Sequence, residues 1–378
     1  MENCTDDGQK NDRNNSEILG CPTHGIVSRF PILGSNHSLL GPEEIILNNT
    51  NICTQFGTGG IADILLSPDQ RQLYVSVGAG GNANMDAIPD IGQYGNDPCG
   101  NGNPWGGHLR AQDPLSYDGS ILRINISDTV PLLTPVTKID LVAKGFFNPW
   151  RMVWKSTSIN TVPELYVIDT GLLDYEELNG PIINVYSNTS NNYGFPCTQG
   201  NVSIPPFNAP FLNPAPPMCT AMLVNSSLYT PPMWYSYHPN TPSVFSAVVY
   251  NSYTNRWYIG DMMEMIIFSI PGNASYKNFN PADKRIEAIG IFPVHLDYVP
   301  NTTTLLMMDV LQGELLSSDL WPLPPVSSPS PAPNNNPTNG NTDSRFSKLD
   351  ETMVSYVLLG ATFCTLLSTM TLPSLFMW

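Results

Sequence analysis

Four acidic side chains crowd one short stretch of this 378-residue chain: Asp169, Asp174, Glu176 and Glu177, set around Gly171 and Leu172. Oxygens so close together can hold a hard cation such as calcium or move protons. In a turn-rich segment they serve equally to make turns and to bridge sheets through hydrogen bonds. A second oxygen-rich stretch holds Asn84, Asp86, Asp90 and Asp97, without the spacing of a recognised calcium loop. His108, in Gly-Gly-His-Leu-Arg, reads as a surface loop histidine that would act as a base only by leaning into a site. His238, in Trp-Tyr-Ser-Tyr-His-Pro-Asn, reads as a hydrogen-bonded histidine between sheets. The run Trp234, Tyr235 and Tyr237 can stack on a sugar ring or fill a core.

Six cysteines precede the tail, Cys4, Cys21, Cys53, Cys99, Cys197 and Cys219, with a seventh inside it. None forms a CxxC pair, which argues against a zinc cluster and leaves three disulfides of an oxidising compartment. Asn-x-Ser/Thr acceptors stand at Asn3, Asn14, Asn36, Asn48, Asn125, Asn188, Asn201, Asn225, Asn273 and Asn301. Together these imply export. A net charge of −16 repels phosphate backbones and excludes nucleic acid as a partner.

The elements that must position these groups are strands. With 36 Pro and 29 Gly and no long stretch of apolar residues at helical spacing, the chain reads as all-β. Strands are predicted at Ile61–Leu66, Gln72–Val77, Ser120–Ile126, Leu165–Ile168, Ile182–Tyr186 and Val244–Tyr250. Further strands are predicted at Arg256–Ile259, Met265–Ile270, Arg285–Ile291, Leu305–Met308 and Glu314–Ser317. A recurring unit, a Pro-Asp or Asn turn and then an apolar strand ending at Gly or Asp, is how a β-propeller reads.

Four segments are expected. Residues 1–24 are polar and show no signal peptide, so the chain reads as N-terminally truncated. Residues 25–321 form the propeller. Residues 322–353, rich in Pro, Ser and Asn, form a disordered stalk. Residues 354–378 carry no charge and are long enough for a membrane helix, and the small residues and polar spacer before them match a GPI-anchor signal. The expected location is the extracellular face of the plasma membrane, GPI-anchored or single-pass.

The blocks SPDQRQLYVSVG, DIGQYGNDPCG, GGHLRAQDP, DGSILRIN, NPWR, YVIDTGLLDYEELN and NNYGFPCTQG resemble the glucose/sorbosone dehydrogenase family, in its order, from about Ser28 to Ser317. The resemblance implies a six-bladed-type propeller, here with about four blades, and oxidation of sugar CH–OH groups with pyrroloquinoline quinone (PQQ) and calcium. It implies pairing of Cys197 with Cys219, Cys53 with Cys99, and Cys4 with Cys21. Calcium would be held by the backbone carbonyls of Gly171 and Leu172, and the quinone would sit beside Asn148. The family's base falls at Gly59 and its cofactor arginine at Phe147, directly before Asn148; Arg151 would support the blade. Glycine offers no proton acceptor and phenylalanine no charge. Two readings follow: a surface-anchored PQQ-dependent sugar dehydrogenase, or a catalytically inactive propeller that binds carbohydrate or a surface protein.

Overall fold

A computed structural model describes residues 23–30, 42–54, 59–81, 107–126, 139–155, 162–171, 175–182, 191–203, 217–238, 243–275, 277–299, 302–319 and 347–348. Most of these are strands. A hairpin joins β1 (Thr23–Arg29) to β2 (Glu44–Thr54). The strands β3 (Ile61–Leu66), β4 (Gln72–Val77), β5 (Ser120–Asn125) and β6 (Ile139–Lys144) make an antiparallel meander. The second sheet holds β7 (Pro149–Lys155), β8 (Glu164–Asp169) and β9 (Tyr175–Asn179). The short β10 (Asn191–Asn192) adds to β6, and β11 (Thr198–Gln199) and β12 (Val202–Ser203) form a small hairpin. After helix α1 (Pro217–Val224), β13 (Trp234–Tyr237) completes the second sheet beside β9. The third sheet runs β14 (Phe245–Asn251), β15 (Arg256–Asp261), β16 (Ile266–Pro271), β17 (Arg285–Ile289). The fourth runs β18 (Pro293–Tyr298), β19 (Thr304–Asp309), β20 (Glu314–Asp319) and a two-residue β21 (Ser347–Lys348).

The turns are set by side chains. Asn251 Oδ1 accepts the N–H of Tyr253 and Thr254, Asp261 Oδ1 that of Met263 and Glu264, and Asp309 Oδ1 that of Leu311 and Gln312. Such Asx turns reverse the chain after each apolar strand and produce the repeated unit seen in the sequence.

The first strands of the four sheets, β3, β7, β14 and β18, pack in succession around one axis. Apolar layers fill the gaps between sheets: Tyr74, Ile121, Leu165 and Val167 between the first and second, and Tyr166, Trp234, Trp257 and Phe268 between the second and third. Lys155 pins the latter seam, its Nζ 4.8 Å from the ring centre of Tyr250 and 5.4 Å from that of Trp257, donating to the Gly272 carbonyl at 2.9 Å. At the axis Arg151 donates to Ala62 and Val294 carbonyls, tying β7 to β3 and β18. Among the described residues this is a propeller arrangement of four sheets of four or five strands, besides the two-stranded β1–β2 sheet and the β11–β12 hairpin.

Of the expected strand Ile182–Tyr186 only Ile182 is described. Its N–H is held by the Leu165 carbonyl, and residues 183–186 lie outside the described residues. Residues 347–348 of the expected stalk pair with β20. The rest of that stalk, residues 1–22 and the C-terminal residues 354–378 lie outside the described residues. Among the described residues no helix is long and apolar enough to cross a membrane.

Candidate functional site

The positions singled out for redox chemistry meet at one end of the first two sheets. Gly59 enters β3 with φ +73°, and a Cβ there would stand 2.9 Å from the Gly80 nitrogen. The chain from Gly78 to Gly81 leaves β4 beside it, with the Ala79 N–H on the Phe147 carbonyl at 2.7 Å. Phe147 precedes β7 and turns its ring to His108, with centroids 5.5 Å apart. Phe195 closes the triangle, 5.6 Å from His108 and 5.1 Å from Phe147. Ala79, Leu109, Ala111, Met222 and the bonded pair Cys197–Cys219 pack around these rings.

His108 is therefore not the surface loop histidine expected from its sequence. It is 1% exposed. The Gly107–Gln112 turn of 3-10 helix is buried throughout, and a Cβ at Gly81 would stand 2.5 Å from the His108 ring. The missing side chain at Gly81 is what admits the imidazole.

Arg110, two residues on, is the cation nearest this cluster in sequence. Its Nε donates to Asp118 Oδ2 at 2.8 Å and its Nη2 to the carbonyls of Gly80 at 2.6 Å and Cys53 at 3.4 Å. Asp118 Oδ1 accepts the Cys53 N–H. Burial pushes the Asp118 carboxyl up to about 6 against the pull of Arg110. Cys53 is itself disulfide-bonded. This buried pair fixes β2 to the β4 exit and has its donors committed inward.

Three of the four clustered acids are described, and each holds backbone. Asp169 accepts the N–H of Phe147 at 2.9 Å and Asn148 at 2.6 Å. Glu176 accepts those of Gly171 at 3.1 Å and Phe245 at 2.9 Å, with His238 Nε2 3.7 Å away. Glu177 accepts the Gly200 N–H and the Asn179 amide. Burial raises Asp169 well above the usual carboxylate range, with Glu177 adding to the rise, and lifts Glu176 and Glu177 to about 7. These carboxylates clamp loops from three sheets.

The folded chain thus keeps protons that the unfolded chain would release. Stability from these groups is complete below about pH 4, where both states are protonated, and is lost as pH rises through about 7. His295, lowered by burial, acts the other way at acid pH. Thermal melts across this range are expected to show Tm falling with rising pH. Glu177→Gln should flatten the curve; an unchanged slope would remove these carboxyls as its cause.

A tricarboxylate quinone needs cations. The family's cation position holds Phe147, Arg110 is tied to Asp118, and the space between is apolar. The described residues do not fit PQQ. Nor do the described residues supply a calcium cage: no group of three or more His, Cys, Asp or Glu among them is arranged for a metal. Gly171 packs under the Tyr175 carbonyl, and Leu172, Asp174, Asn84, Asp86, Asp90 and Asp97 lie outside the described residues. So do Cys4, Cys21 and Cys99. Asn148 is held by its backbone, donating to Asp169 and accepting from Thr170. Trp234 is core, whereas Tyr237 is exposed. Asn48, Asn125, Asn201, Asn225 and Asn273 are all exposed; Asn36, Asn188 and Asn301 lie outside the described residues.

No family model matches the sequence, and no curated protein does. Among solved structures, the PQQ-bound aldose sugar dehydrogenase of Streptomyces coelicolor is 16% identical with TM-score 0.47, over 74% of this chain and 64% of its own. A glucose dehydrogenase-type oxidoreductase of Thermus thermophilus is 16% identical with TM-score 0.45, over 78% of this chain and 67% of its own. The calcium structure of a Trichoderma reesei family AA12 carbohydrate-active enzyme is 13% identical with TM-score 0.49, over 76% and 74%. The chain spans under two thirds of the length of the Streptomyces protein.

Proposed function

We propose that this chain is a recognition module: a dehydrogenase-like propeller without redox chemistry, displayed on the outer face of a membrane through its C-terminal segment. The observation that carries the reading is the His108–Phe147–Phe195 cluster where the resemblance would place the quinone. Oxidation of a sugar hydroxyl requires a base for the hydroxyl proton and an acceptor for the hydride. Gly59 supplies no base, and His108 is enclosed by rings and by the Gly81 backbone. The partner is a carbohydrate or protein of the cell surface, met by the propeller's loops.

The test is direct. Full chain supplied with PQQ, calcium, an artificial electron acceptor and a panel of aldoses is expected to show neither acceptor reduction nor quinone binding by titration calorimetry. Turnover with any sugar would overturn the reading in favour of a PQQ-dependent dehydrogenase.

A further inference from the structure

The hairpin β11–β12 pairs Thr198 with Ser203 and Gln199 with Val202, leaving Gly200 and Asn201 as a two-residue turn. Gly200 has φ +61°, which such tight turns favour. The turn is fixed from beneath: Gly200 N–H is held by the buried Glu177, and Gln199 Nε2 donates to the Tyr175 carbonyl at 3.1 Å. A Cβ at Gly200 would stand 2.7 Å from Tyr175 Cδ1. The turn therefore lies directly on that ring. Tyr175 faces Tyr237 across the β9–β13 register, stacked with centroids 4.8 Å apart at 29°, and Tyr235 meets it edge-on at 5.6 Å. Tyr237 is 57% exposed.

Asn201 is exposed and opens the acceptor sequence Asn201-Val202-Ser203. Its Cα is one residue, about 3.8 Å, beyond Gly200, so the first sugar on its amide lies within reach of the tyrosines. We propose that Asn201 carries an N-linked glycan whose first N-acetylhexosamine is seated on the Tyr175–Tyr237 pair. In the transfer, Asn201 Nδ2 loses a proton and bonds to the anomeric carbon of a lipid diphosphate-linked oligosaccharide, and the lipid diphosphate leaves. The C–H face of the pyranose covers an aromatic surface otherwise open to water. A neutral ring suits a chain of net charge −16 better than an anionic ligand would. Glu177, buried beneath the turn, keeps the attachment point fixed, so little entropy is lost on seating.

The inference rests on export through a glycosylating pathway and not on the redox reading. The full chain is expressed behind a cleavable leader in a eukaryotic host and purified from its membranes, as wild type, N201Q, Y237A and the double variant. Glycopeptide mass spectrometry should find Asn201 occupied. Tyr237→Ala should lower Tm by about 2–4 °C in the glycosylated protein, speed enzymatic release of the Asn201 glycan under native conditions, and have no effect on Tm in the N201Q background. Tyr237→Trp should retain the wild-type behaviour. An empty Asn201 beside occupied Asn225 and Asn273 overturns the proposal alone. Empty acceptors throughout overturn the export reading with it. An equal Tm loss in both backgrounds makes Tyr237 merely structural. Binding of a soluble chito-oligosaccharide to N201Q, lost with Y237A, would assign the tyrosines to a sugar from another source.

Discussion

Arg110→Met is expected to destabilise the protein by about 3–5 kcal/mol, because it leaves a buried carboxylate without its cation. Asp118 is 1% exposed and would keep the Cys53 N–H while losing the guanidinium. By contrast, Arg29→Met breaks a part-exposed pair with Glu44 and should cost about 0–1 kcal/mol. Denaturant midpoints for both variants measure the difference. The penalty at Arg110 should also shrink below about pH 6, where Asp118 is protonated and needs no partner. A loss that stays constant from about pH 5 to about pH 8 would mean that packing of the Arg110 stem, not its charge, holds β2 to β4.

Gly59→His is the second. It restores the residue type the dehydrogenase resemblance calls for, yet it is expected to give no sugar oxidation and to cost about 2–4 kcal/mol in stability. The left-handed backbone at φ +73° disfavours any side chain, and the Cβ alone meets the Gly80 nitrogen at 2.9 Å. Most of the loss should therefore appear already in Gly59→Ala. A stable Gly59→His protein that reduces an acceptor in the presence of PQQ, calcium and glucose would show that the end of the first two sheets opens, and the recognition reading would fall with it.

Where hydrophobic runs end in a turn signal, the sequence announces its strands. β3 and β4 match their predicted bounds, and β15 and β19 lie within a residue or two. Three of the second sheet's four strands are hidden; β8 is not. Pro149–Lys155, Tyr175–Asn179 and Trp234–Tyr237 carry Asn-Pro-Trp-Arg, Glu-Glu-Leu-Asn and the Tyr-rich run, which read as chemistry because polar and aromatic residues interrupt the alternation. β1, β2, β6 and β18 are missed for a related reason: short alternating patterns broken by polar residues gain their strand character from neighbours. As the positions of the family's base and arginine, Gly59 and Phe147 were legible only through the resemblance. That His108 fills the space between them was not, since burial of a histidine depends on Gly81, far from it in sequence and without a side chain to announce the contact. Arg110 lay in the same block as His108, and its commitment to Asp118 could be read only once the β4 exit was in place.

Arg151 has a consequence for how the protein is made. Its acceptors at Ala62 and Val294 lie 89 residues before it and 143 after it. On a ribosome the first two sheets can emerge and pair locally, but the strut has no partner in β18 until that strand has been synthesised. Until then Arg151 is held only from β3, by Ala62 and Asp63, and β14 lacks its neighbour β18. That prolonged interval, rather than the stability of any single sheet, is the stage at which such a chain is open to mispairing.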